Sequence, residues 1–131
     1  MKIAIIRQKF VLYGGAEQFA DGFIHQLAES GHEVHIFANR WTPSHHKNIH
    51  HHFVATLNFN SFFRTLSFAR TVAKEIREEN FDIVQSHEKT WSQDVYRAGD
   101  GCHIKWLHQR GKQISPIKKL FLFLNPFHRL I

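Results

Sequence analysis

Lys2-Ile3-Ala4-Ile5-Ile6-Arg7, followed closely by Tyr13-Gly14-Gly15-Ala16-Glu17, is the stretch that decides the fold. Ile3 to Ile6 is a continuous apolar run rich in β-branched side chains, the composition of a strand buried on both faces. After the glycine pair, Ala16, Phe19, Ala20, Phe23, Ile24, Leu27 and Ala28 recur at intervals of three and four, the apolar stripe of an amphipathic helix. Gly31 stands where such a helix takes a glycine cap, and Val34-His35-Ile36-Phe37-Ala38 reads as a second strand. Strand, glycine loop, helix, strand is a βαβ unit.

Outward from this unit the alternation continues. A polar stretch, 39–52, leads to Phe53-Val54-Ala55-Thr56-Leu57 as an expected third strand. Ser61 is placed to cap a second helix with its stripe at Phe62, Leu66, Ala69, Val72, Ala73 and Ile76. Asn80 ends that helix, Phe81–Ser86 reads as a fourth strand, and Asp94–Ala98 as a short fifth. Alternating strands and helices predict an α/β fold, a parallel sheet with right-handed crossovers and flanking helices.

Composition removes several classes of function. The single cysteine, Cys102, excludes an internal disulfide framework and a four-cysteine zinc module. The apolar run between Lys2 and Arg7 is too short for a signal peptide. The longest later run, Leu120–Leu124, falls far below the ~20 apolar residues of a membrane-spanning helix.

Charge is unevenly placed. Residues 101–131 carry Lys105, Arg110, Lys112, Lys118, Lys119 and Arg129 with no acidic residue, which accounts for the whole formal net charge of +6. Ser115-Pro116 starts a helix there, with Ile117, Leu120, Phe121 and Leu124 on one face. A basic, apolar-striped helical tail over 111–131 can lie on an anionic membrane surface, or pack on further protein. Nucleic acid would also attract the charge, but phenylalanines inside an aliphatic run suit burial rather than base stacking, so no nucleic-acid partner is assigned. The chain ends abruptly on apolar residues, and the expectation is that it is cut off before a second domain.

Three features carry candidate chemistry. Gly14 and Gly15 at a helix start let backbone N–H groups approach a phosphate, helped by the helix dipole; a simple tight turn is the competing reading. Neither G-x-G-x-x-G nor the P-loop pattern is present. Arg7 and Lys9 near the first strand's end could assist an anion. His87 falls just past the fourth strand, at the carboxyl edge where open α/β sheets bind ligands, with Asp94 and Asp100 close behind. There it can donate to a phosphate or sugar hydroxyl, or take a proton. His45, His46, His50, His51 and His52 crowd one stretch, but with no carboxylate or thiol among them and no visible frame. The expectation is a solvated loop and no metal centre.

Met1–Ile6, Tyr13–Glu17 and Gly31-His32-Glu33-Val34 together resemble the opening of bacterial family-four glycosyltransferases of GT-B fold. Phe81-Asp82-Ile83-Val84-Gln85-Ser86-His87-Glu88 and Asp94-Val95-Tyr96-Arg97-Ala98-Gly99-Asp100-Gly101 resemble the lipopolysaccharide-core glucosyltransferase branch. The resemblance covers residues 1–110 and implies a Rossmann-like, acceptor-side N-terminal domain. It implies retaining transfer of a sugar from a nucleotide-sugar, a UDP-sugar above all, to a lipopolysaccharide or other glycan or lipid-linked acceptor, with no metal cofactor. By the same resemblance Gly14 and Gly15 approach the donor diphosphate, and His87 and Asp100 are the catalytic candidates. It also implies a cytoplasmic protein held peripherally on the inner face of the cell membrane, with Lys118 and Lys119 on the anionic surface. Two such domains need ~300 residues; with 131 residues, the expectation is the front part of an enzyme, inactive alone.

Overall fold

The computed structural model describes residues 1–10, 15–41, 46–57, 59–98 and 109. The opening apolar run becomes β1 (Lys2–Ile6), the central strand, with Ile3 to Ile6 all buried. Around it lie β3 (Glu33–Ala38), β5 (Ile49–Phe53), β6 (Ile83–Ser86) and β7 (Val95–Tyr96), in the order β5-β3-β1-β6-β7. Every pairing is parallel. A second, two-stranded sheet that the sequence did not suggest joins β2 (Lys9–Phe10) to β4 (Arg40–Trp41). All these elements belong to the unit Met1–Gly99.

Two layers of apolar side chains cover the sheet. On one face Ile3, Ile5, Val34 and Ile36 meet Ala20, Ile24 and Ala28 of α1 (Gly15–Glu29). On the other, Ala4, Ile6, Phe37 and Val54 meet Phe68, Val72 and Ile76 of α2 (Ser61–Glu78). Gly31 closes α1 with φ +83°; its N–H bonds Ala28 O, and the His32 N–H bonds Leu27 O. Those two bonds need the left-handed conformation that glycine adopts without a Cβ penalty.

Four expectations shift. The third strand is Ile49–Phe53 rather than Phe53–Leu57, so His50 to His52 lie in a sheet and not in a loop. Strand β5 is an edge strand, which frees its composition from the all-apolar rule for central strands. Phe19, assigned to the core stripe, is 53% exposed, whereas Phe68, outside the expected stripe, is fully buried. The cap of α2 is Asn60, whose side-chain oxygen accepts the Phe63 N–H at 2.9 Å; Ser61 is the first helical residue. Asn60→Ala should therefore cost about 1 kcal/mol in urea unfolding, and Ser61→Ala only a few tenths; the reverse order would return the cap to Ser61.

At the other end of α2, Glu75 faces Glu78 and Glu79. Partial burial, then repulsion from Glu78 and Glu79, raises its carboxyl above the ordinary value. A raised folded pKa contributes stability below the unfolded carboxylate value and loses it as pH rises through the folded one. Glu75→Gln is expected to stabilise the domain at pH 7 by about 0.5 kcal/mol, a screened like-charge magnitude. That gain should fade towards pH 4 in thermal melts.

At the amino-terminal edge the sheet's α2 face is polar. Lys2 pairs in register with Glu33, and His35 with His50. Lys2 Nζ donates to Glu79 Oε2 at 2.8 Å, which raises the Lys2 ammonium and lowers the Glu79 carboxyl. The hydrogen bond from His35 lowers Glu33, while burial, ahead of its charged neighbours, lowers His52.

Candidate functional site

The carboxyl edge of the sheet is built from the residues that come directly after β1, β6 and β7. At the end of β1 the Arg7 N–H bonds Phe37 O. Arg7 is itself 5% exposed and donates Nε–H to Lys9 O at 3.1 Å. It is therefore part of the wall, not a solvated cation. One strand over, the last residue of β6 is Ser86, wholly buried. Its hydroxyl accepts the Glu88 N–H at 3.1 Å and donates to Glu88 O at 2.7 Å, curling the chain directly after the strand.

His87 sits at the top of that curl. The structure places it where the sequence did, immediately beyond β6, but buried, with 5% of its surface exposed. Its N–H bonds Ile6 O at 2.9 Å, so the end of β1 fixes its backbone. Its Nε2 lies 2.9 Å from the Gln85 amide nitrogen. With the amide donating, Nε2 is the acceptor and the ring proton sits on Nδ1. A histidine held this way has one tautomer and one orientation, as proton transfer or hydroxyl recognition demands.

Glu88 extends the arrangement: its carboxylate accepts the Gln8 N–H at 3.1 Å. The loop after β6 thus holds the loop after β1, the one that leads to the glycine pair. Gly15 is the first residue of α1, which sets the helix's unpaired N–H groups at this edge. Asp94 has a different task from the one its position suggested. Its Oδ2 accepts the Val84 N–H at 2.8 Å while its own N–H bonds Val84 O, so it ties β7 to β6.

Sequence reasoning missed Arg97. Its N–H bonds Ser86 O, beside His87, and its guanidinium lies 4.0 Å from the centre of the Phe19 ring on α1. That cation–π contact explains the exposed phenylalanine. One η nitrogen of Arg97 is buried and has no hydrogen-bond partner among the described residues. A cation held on an aromatic ring near a helix amino terminus suits an anionic ligand. Gly14, Asp100, Lys118 and Lys119 lie outside the described residues, as do His45 and the tail over 111–131.

Leu57 and Phe63 line an open groove of about 540 Å³ between the segment after β5 and the start of α2. Both are about half exposed, and nearby in sequence Phe59 is 87% exposed. Among the described residues no helix is long and apolar enough to cross a membrane.

A parallel sheet in the order β5-β3-β1-β6-β7, with α1 after β1 on one face and α2 on the other, defines a Rossmann-like α/β domain. The sequence model of Glycosyltransferase Family 4 matches residues 13–124, and the chain belongs to that family. Its structure is similar to the crystal structure of WaaG, described as a glycosyltransferase involved in lipopolysaccharide biosynthesis, with a TM-score of 0.75 at 21% identity. That likeness covers 97% of this chain and 34% of the WaaG chain, so the 131 residues span about a third of its length. A comparison with curated protein sequences returned no match.

Proposed function

We propose that these residues form the acceptor-side half of a retaining glycosyltransferase that moves a sugar from a nucleotide-sugar, most simply a UDP-sugar, to a lipopolysaccharide or other lipid-linked glycan. The observation that carries the reading is the convergence at one sheet edge of the α1 amino terminus, the buried His87 and the Phe19-stacked Arg97, in a Family 4 chain. The helix terminus and Arg97 would face the donor diphosphate, with Gly14 and Gly15 allowing its close approach. His87 would donate to, or take a proton from, a hydroxyl of the sugars; the family resemblance keeps Asp100 as the second catalytic candidate. No metal enters this reading.

The exposed Leu57, Phe59 and Phe63 suit the lipid portion of such an acceptor. Independently of them, the sequence's basic segment that includes Lys118 and Lys119 suits a peripheral place on the inner, anionic face of the cell membrane. A GT-B reaction cleft needs a second Rossmann-like half, and 131 residues hold one.

The test uses the purified 131-residue chain with radiolabelled UDP-sugars and a lipopolysaccharide-core acceptor. Saturable binding of the acceptor is expected, observed as ligand signals perturbed by NMR, together with no sugar transfer above background. Measurable turnover would show that these residues are a complete enzyme. Failure to bind any glycan acceptor would remove the acceptor-side assignment and leave a module that acts through its basic tail.

A further inference from the structure

We propose that the amino-terminal edge of the sheet holds a second, unrelated site: a transition-metal centre whose ligands are Glu33, His35 and His50. These residues come together because the strands are parallel and in register. Glu33 and His35 share one face of β3, and His35 pairs with His50 of β5. Glu33 Oε1 is 2.9 Å from His35 Nε2 and 3.7 Å from His50 Nε2. The three candidate ligand atoms all lie within 4.8 Å of one another. A tetrahedral ion with N and O bonds of ~2.0–2.1 Å needs donors about 3.3 Å apart; the two Glu33 distances bracket that value, and rotation of the half-exposed His50 side chain would bring its nitrogen to the same separation from His35. Two imidazoles and a carboxylate are a set that suits zinc, nickel or copper.

The surroundings match what such a centre requires. His35 is buried, at 6% exposure, while Glu33 and His50 are half exposed, which gives an ion a way in and leaves a coordination position for water. The other nitrogen of His35, Nδ1, lies 2.8 Å from His52 Nε2. A metal on Nε2 places the His35 proton on Nδ1, where it is donated to His52, the outer-shell bond that typically orients a histidine ligand. Glu79 stands 3.8 Å from the same Nδ1 and is neutralised by Lys2. Phe37 and Phe81 pack the His52 and His35 rings from the core side, so the imidazoles cannot swing freely. β1 is a five-residue strand, and at ~3.3 Å per residue about 16 Å separates this edge from His87. The site would bind β3 to β5 and take no part in sugar transfer.

Zinc titrated into the chelator-treated 131-residue chain at pH 7.5 should bind at one equivalent by calorimetry and raise the melting temperature. Cobalt should give the absorption bands of tetrahedral coordination. His50→Ala and Glu33→Gln, both surface changes, are each expected to weaken zinc by more than the ~10–100-fold typical of an outer-shell loss, and His52→Gln by an amount within that range. His25→Ala and His32→Ala should bind as the parent does, and circular dichroism should show every variant folded. The proposal is overturned by the absence of saturable binding, or by His50→Ala and Glu33→Gln binding zinc normally. It is equally overturned if His32→Ala weakens zinc as much as His50→Ala. Loss of binding in His52→Gln alone would place the ion among His35, His52 and Glu79 and refute Glu33, His35 and His50 as the ligand set.

Discussion

Phe37→Ala should lower the unfolding free energy of the domain by about 3–5 kcal/mol, the range for removing a large aromatic from a packed core. Phe37 is fully buried in β3, at the point where the sheet meets α2. Its ring stands edge-on to Phe81 at 5.7 Å and stacks on His52 at 4.5 Å. It shares a cluster with Ile6, Val54, Phe68 and Val72. Alanine there opens a cavity between two layers that cannot close without moving α2, so transfer and cavity terms add. Against the 5–15 kcal/mol that holds a typical domain, the loss would consume much of the total. Urea denaturation should show a lower midpoint with an unchanged slope. Phe37→Leu, which keeps most of the volume, should cost under half as much. A loss below ~1 kcal/mol for the alanine variant would mean that α2 does not pack on this face.

The same residues show what the sequence could and could not say. β1 was legible because a strand buried on both faces must be apolar throughout, and Ile3–Ile6 is. α1 and its end were legible because helical period and a positive-φ glycine are local properties. β5 was not, because an edge strand whose neighbours supply carboxylates and a lysine can be built of histidines. Nothing local distinguishes His50-His51-His52 on a strand from the same residues in a loop. The shift of the α2 stripe to include Phe68 likewise reflects the sheet that receives it. At the site, His87 was legible from its place after a strand. Arg97 was not, since its partner Phe19 is far away in sequence and the stack exists only once β7 and α1 are assembled.

Ser86→Ala is expected to cost about 1–3 kcal/mol, although it removes a single oxygen and adds no volume. The cost lies in what that oxygen satisfies. Ser86 is wholly buried, and its hydroxyl accepts from Glu88 N–H, donates to Glu88 O and receives the Thr90 hydroxyl at 3.1 Å. Alanine takes the buried hydroxyl away from a backbone donor and a backbone acceptor of the partly buried Glu88, and the desolvation cost of such groups is only partly recovered. The consequence should not stop at stability. Glu88 carries the Gln8 N–H on its carboxylate, and His87 lies between Ser86 and Glu88 in the chain, so the hydroxyl fixes the loops after both β1 and β6. Hydrogen exchange should quicken at the Gln8 and Glu88 amides of the variant while the amides inside β1 stay protected. Parent-like exchange at Gln8 would show that the two loops hold their places independently. In that case His87 would be positioned by its own bond to Ile6 O, and the preparation of the site would reside in β1 rather than in the turn beyond β6.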